Sequence, residues 1–245
     1  MGEETYDHEN GTPLTDEPTF ILDPIDGTTN FIHGYPFVCI SLGFCLRKQP
    51  VVGIVYNPFT SLLWSAIRHQ GSFVRSTKPT SIAGISTTPR RLPLRNPIPP
   101  LTGLSGAVVA VEWGSDRDGP NWDTRVALFA RLGGSRKSGG GMAHGIRSSG
   151  SAALNFCAVA SGEIDAAWEA GAWAWDVCAA WAIVEEAGGR VVDVRPRLEG
   201  RTWEDMTPPL DGRMYFAIRG AEEGEQRRVA EELWALGGSE GFTYS

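Results

Sequence analysis

Asp23-Pro24-Ile25-Asp26-Gly27-Thr28-Thr29-Asn30-Phe31 is the stretch on which the reading turns. The run Thr19–Leu22 before it is β-prone, so a strand delivers Asp23 at its C-terminal end. Pro24 stiffens the exit and Gly27 permits a tight turn. Asp23 and Asp26 then point into one cavity, with the Ile25 carbonyl between them. Carboxylates and a carbonyl are hard oxygen donors, which suit magnesium rather than zinc. The N–H groups of Gly27, Thr28 and Thr29 open a helical turn, a backbone geometry that takes phosphate. Asp-Pro and Asp-Gly are also ordinary turn dipeptides, so the first five residues alone are better read as a capped turn. The continuation through Thr28–Phe31 and on to Gly34, Pro36 and Phe37 sets this stretch apart.

Working outward, Phe37–Arg47 and Val51–Tyr56 read as strands joined by a turn at residues 48–50. Leu62–Ile67 and Ser72–Arg75 add two more, and short turns between successive strands predict an antiparallel sheet. Residues 1–18 read as loop. Residues 76–102 are rich in Pro, Ser, Thr and Arg without apolar periodicity, which predicts a disordered insertion. Strands are expected at Ala107–Val111, Ile164–Trp168, Arg190–Val194 and Tyr215–Ile218. Helices are expected at Thr124–Leu132, Ser151–Ser161, Val177–Ala187 and Glu222–Leu236. The chain thus divides into a strand-rich part, residues 1–105, carrying the Asp23–Phe31 motif, and an α/β part, residues 106–245, carrying Asp176.

Composition fits a globular protein of 245 residues, and the net charge of −7 offers no general attraction to nucleic acid or anionic membranes. An anionic substrate would need a local cation, for which a bound metal is the natural candidate. Cys39, Cys45, Cys157 and Cys178 lie in apolar stretches with no C-x-x-C spacing, as expected of buried free thiols in a cytoplasmic protein. The most apolar run, Phe37–Leu46, is too short to span a bilayer.

Two further motifs join the first: Gly2-Glu3-Glu4 upstream, and Trp175-Asp176 leading through Ala179 and Ile183 to Ala187-Gly188-Gly189. With all three in this order, the chain resembles the inositol monophosphatase family, within the magnesium-dependent, lithium-sensitive phosphatase superfamily. The resemblance implies a layered α+β / α/β sandwich of alternating α-β-α-β-α layers, here without the first helices. It implies that Glu3, Asp23 and the Ile25 carbonyl hold one magnesium. Asp23 would bridge to a second, completed by Asp26 and Asp176. Thr28, with Glu3, would be catalytic, orienting the attacking water. The substrate would be a small phosphorylated polyol lying against Ile25, Asp26, Gly27 and Thr28, beside Gly150, Ser151 and Ala152, with Glu169 and Asp176 on its hydroxyls. A homodimer is the open question of assembly.

Each of these residues also has a plainer reading. Asp176 and Ser151 suit helix N-caps. Glu169 suits a solvated loop, and Glu3 a frayed terminus. Relatives carry a helical segment before Gly-Glu-Glu with an acidic partner for the threonine, whereas this chain starts at Met1. The expectation is therefore a truncated start with weakened magnesium binding and turnover. The competing functions are a phosphatase for 3′-phosphoadenosine nucleotides or sugar phosphates on the same scaffold, and a non-catalytic regulatory relative.

Overall fold

The computed structural model describes residues 1–6, 13–79, 84–195, 202–237 and 241–244. Six strands form one antiparallel meander: β1 (Thr19–Asp26), β2 (Cys39–Leu46), β3 (Gln49–Asn57), β4 (Leu62–Ile67), β5 (Gly71–Ser76) and β6 (Arg90–Arg91). The short helix α1 (Thr28–His33) follows β1 directly. Ile21 and Asp23 point to one face of β1 and Phe20 and Leu22 to the other, because side chains alternate along a strand.

The second sheet has the order β10-β11-β9-β7-β8. Its strands are β7 (Val108–Val111), β8 (Gly145–Arg147), β9 (Ala166–Ala170), β10 (Arg190–Val192) and β11 (Met214–Ile218). β7 runs parallel to both β8 and β9, while β11 is antiparallel to β9 and β10. Four longer helices connect these strands: α2 (Gly119–Gly133), α3 (Ala152–Ser161), α4 (Ala174–Glu186) and α5 (Glu223–Ala235).

Helices α3 and α4 lie between the two sheets, around a core that includes Phe156, Trp175, Trp181 and Trp64. Helices α2 and α5 cover the far face of the second sheet, over Leu128, Trp168, Phe216 and Leu233. The result is a layered sandwich of sheet, helices, sheet, helices, in agreement with the expected fold class. Helix α4 presses directly on the first sheet. Gly43 and Gly53 are paired across β2 and β3. A Cβ at Gly53 would sit 1.9 Å from the Ala179 carbonyl oxygen, and one at Gly43 would sit 2.5 Å from Cys178 Sγ. The opposite face of this sheet exposes Phe20, Leu22, Ile40, Ile54 and Ile67, and no helix covers it among the described residues.

Residues 76–102, expected to be a disordered insertion, are anchored to the fold at several described points. Arg90–Arg91 pair with β5, and Ile85, Leu92 and Leu101 are buried. Their apolar residues are isolated among prolines, so no period reveals them; residues 80–83 lie outside the described part. Helix α4 begins at Ala174, three residues before the predicted start, so its first turn already contains Asp176. Strands β6 and β8 were not expected; with two and three residues, neither is long enough to show alternation. All four cysteines are buried and free. Among the described residues no helix is long and apolar enough to cross a membrane.

Candidate metal and phosphate site

The end of β1, the start of α1 and the first turn of α4 meet in a cleft of about 490 Å³. Its walls include Glu3, Asp23, Ile25, Asp26, Thr28 and Asp176. One ligand oxygen from each of Asp23, Asp26 and Asp176 lies within 4.8 Å of the others. Each carboxylate has one oxygen pinned by the protein. Asp23 Oδ1 accepts the Ile25 N–H at 2.9 Å, an arrangement that the Pro24 turn makes possible. Asp26 Oδ2 accepts the Ser151 hydroxyl at 2.6 Å and the Ala153 N–H at 2.9 Å. Asp176 Oδ2 accepts the Trp173 N–H at 2.6 Å. Asp176 is therefore the third residue of α4, reaching back to the residue before the helix, rather than the cap itself.

The electrostatics of this group favour a proton or a cation among the acids. Burial, then the charges of Asp26, Asp176 and Glu3, push Asp23 up to about 9. Burial and then Asp26 push Asp176 to about 7. Burial pushes Asp26 to about 6, held down in part by Ser151 and Ala153. Asp23 and Asp176 also lie within hydrogen-bond reach of each other, a contact that needs either a proton or a cation between the two acids. Among the described residues lining the cleft, Arg117 is the only cationic side chain. Three pinned carboxylates with oxygens to spare fit a hard divalent cation.

Glu3 lines the same cleft but stands outside the tight group of three. It is not frayed. Met1 and Gly2 run beside β1, with the Leu22 N–H donating to the Met1 carbonyl at 2.9 Å, and Glu3–Thr5 make one 3-10 turn. Thr28 is exposed to the cleft, and its hydroxyl donates to the Ile25 carbonyl at 3.2 Å. Gly27 has φ 95°, and a Cβ there would also meet the Phe37 carbonyl at 2.8 Å. Asn30 ties α1 to the opposite wall, donating to the carbonyls of Phe37 at 2.8 Å and Ser149 at 2.7 Å.

On that wall Gly150 faces the cleft, while Ser151 is buried and its hydroxyl is committed to Asp26 and to capping α3 at the Leu154 N–H. Ala152 is the first residue of α3 and is buried. Glu169 is not a solvated loop charge. It lies in β9, 4% exposed, beneath Asn155, whose amide stands 3.4 Å away. Burial and then the neighbouring Glu112 hold its carboxyl well above the usual range.

Glu112, Trp113, Gly114, Arg117, Ser148 and Ser149 also line the cleft, and none was singled out from the sequence. Glu112 is the first polar residue after the apolar run of β7. It stands at the C-terminal end of a parallel strand, where α/β sheets bind ligands. That position is the one signal that could have found it.

Taken together, the fold and site define a class: a layered α/β chain whose acidic cleft could hold a metal ion. The sequence profile of the inositol monophosphatase family matches residues 1–237. Inositol monophosphatase 2 of Saccharomyces cerevisiae is 44% identical over 238 residues, covering 96% of this chain and 72% of the yeast protein. Inositol monophosphatase 1 of the same yeast is 38% identical, covering 96% and 73%. The solved inositol monophosphatase from Anabaena superposes with a TM-score of 0.66 at 29% identity, covering 87% of this chain and 74% of that one. The chain belongs to the inositol monophosphatase family.

Proposed function

We propose that this chain hydrolyses inositol monophosphate to inositol and phosphate, with magnesium as its cation and water as the nucleophile. One observation carries the reading: the carboxylates of buried Asp23 and Asp26 and of half-buried Asp176 converge within 4.8 Å beside Thr28. The names of the two yeast relatives support the substrate. Asp23, Asp26 and Asp176 would hold the cation, with Glu3 and the Ile25 carbonyl as further oxygens. Bound there, a divalent cation supplies Lewis-acid charge to the phosphate and lowers the pKa of water. The small, hard, oxygen-only donor set favours magnesium.

Around that centre the chain's own groups divide the work. Gly27 and Thr28 hold the phosphate at the start of α1. The Thr28 hydroxyl, anchored on the Ile25 carbonyl, orients the attacking water. Ile25 and Asp26 lie along the substrate, and Gly150 and Asp176 face the polyol, backed by the buried Ser151, Ala152 and Glu169. Four buried free thiols support a reducing, cytoplasmic location. The test is phosphate release from inositol monophosphate with magnesium and with excess chelator. Turnover is expected with the metal and not with the chelator; equal rates in both overturn the reading.

A further inference from the structure

Glu112 has no part in holding the cation or the phosphate, yet it is among the most heavily engaged side chains of the cleft. Its Oε1 accepts the Ser149 N–H at 2.8 Å and the Asn155 amide at 2.6 Å. Its Oε2 accepts the Gly150 N–H at 2.9 Å and the Ser148 hydroxyl at 3.3 Å. The topology explains the meeting. Ala110 of β7 pairs with Arg147 of β8, and Val111 pairs with Trp168 of β9, in parallel. One residue past Val111, Glu112 stands between the Ser148–Gly150 loop on one side and Glu169 on the other. The Asn155 amide, donating to Glu112 and lying 3.4 Å from Glu169 Oε1, links the two acids.

We infer that Glu112 is a positioning residue for the alcohol half of the substrate, setting the Ser148–Gly150 loop and, through Asn155, the Glu169 carboxylate. The inference rests on the function proposed above. A carboxylate is required because all four contacts are donors, and an ionised acid only accepts. Gln at this position turns one oxygen into an NH₂ group facing N–H or O–H donors. The committed N–H groups of Ser149 and Gly150 are not available to phosphate. This wall therefore presents itself to the polyol, and phosphate is left to the Gly27–Thr28 side. Glu112 makes no hydrogen bond to Asp23, Asp26 or Asp176 and reaches Asp26 only through its charge, the last of the influences on that acid, so its loss should change cation binding little.

The experiment compares two substrates: inositol monophosphate, and p-nitrophenyl phosphate, which carries no ring hydroxyls. Glu112→Gln is expected to raise KM for inositol monophosphate about tenfold, the effect of losing roughly one strong hydrogen bond. Turnover of the aryl ester and the half-saturating magnesium concentration should stay within about twofold. An equal loss on both esters, or no loss on either, overturns the inference. Should Glu112→Gln fail to melt cooperatively, Asn155→Ala carries the test. It removes the amide that joins Glu112 to Glu169 while leaving the Ser148–Gly150 contacts of Glu112, and should show the same selective loss; an equal or absent loss overturns the inference. Wild-type chain that cleaves the aryl ester but not inositol monophosphate overturns the substrate reading instead.

Discussion

Asp23 shows why this cleft cannot stay metal-free without consequence. Unfolded, an Asp loses its proton near pH 4. Folded among Asp26, Asp176 and Glu3, Asp23 keeps its proton up to about pH 9. Across that window the folded chain binds more protons than the unfolded one, so in chelator its stability is greatest at the acid end and falls as pH rises. Asp23→Asn should flatten that slope, as read from denaturant midpoints at pH 5 and pH 8 in chelator. A slope equal to that of wild type would remove Asp23 from the repulsive group. With magnesium present, wild type should gain about 2.7 kcal/mol at a hundred times its Kd. Asp23→Asn should lose most of that gain and at least about 10²-fold in turnover. The convergence of Asp23 with Asp26 was legible from the sequence because the residues that shape it are neighbours in the chain: Pro24, Ile25, Asp26 and Gly27. That of Glu112 was not, because its partners lie 36 to 43 residues away and meet it only through parallel strand pairing.

At the scale of elements, α4 carries one of the proposed cation ligands and a packing requirement together. Its first turn presents Asp176, and its middle lies on Gly43 and Gly53. Gly53→Ala drives a methyl group into the Ala179 carbonyl, so α4 must lift or tilt. Overpacking of this kind costs about 1–3 kcal/mol. The displacement should also move Asp176, so turnover should fall further than the lost stability accounts for. Gly224 in α5 is the control. A Cβ there meets nothing within 4 Å, and Gly224→Ala should be neutral or stabilising by up to about 1 kcal/mol. Urea midpoints and steady-state rates on the two variants check both statements, and equal effects would refute the close-packing argument. The sequence shows most of these elements through their apolar period, and α4 through its long apolar run. It misplaces the start of α4 because the continuous apolar run begins only at Val177, after the charged Asp176. What fixes the start there is the Asp176 carboxylate reaching back to the Trp173 N–H.

Over the whole molecule, the two faces of the first sheet are unequal in what they touch, though both are apolar. The inner face packs Ile21, Val55, Trp64 and Ala66 into the core with α3 and α4. The outer face leaves Phe20 65% and Ile54 36% exposed, with Leu22, Ile40 and Ile67 around them. A contiguous apolar face of this kind drives association in water. We therefore expect this chain to self-associate as its concentration rises, through this face rather than through the cleft. Replacing Phe20 and Ile54 together by Lys puts two charges at the patch without touching the inner core. Sedimentation velocity should then show a smaller species at high concentration. The melting midpoint should hardly move, since surface substitutions of this kind change stability by about 0.5 kcal/mol or less. Trp64→Ala on the inner face, by contrast, should cost about 3–5 kcal/mol. If the double Lys variant sediments as wild type does, the outer face is not where the copies meet. If it unfolds as Trp64→Ala does, the face belongs to the core, and its exposure has been misread.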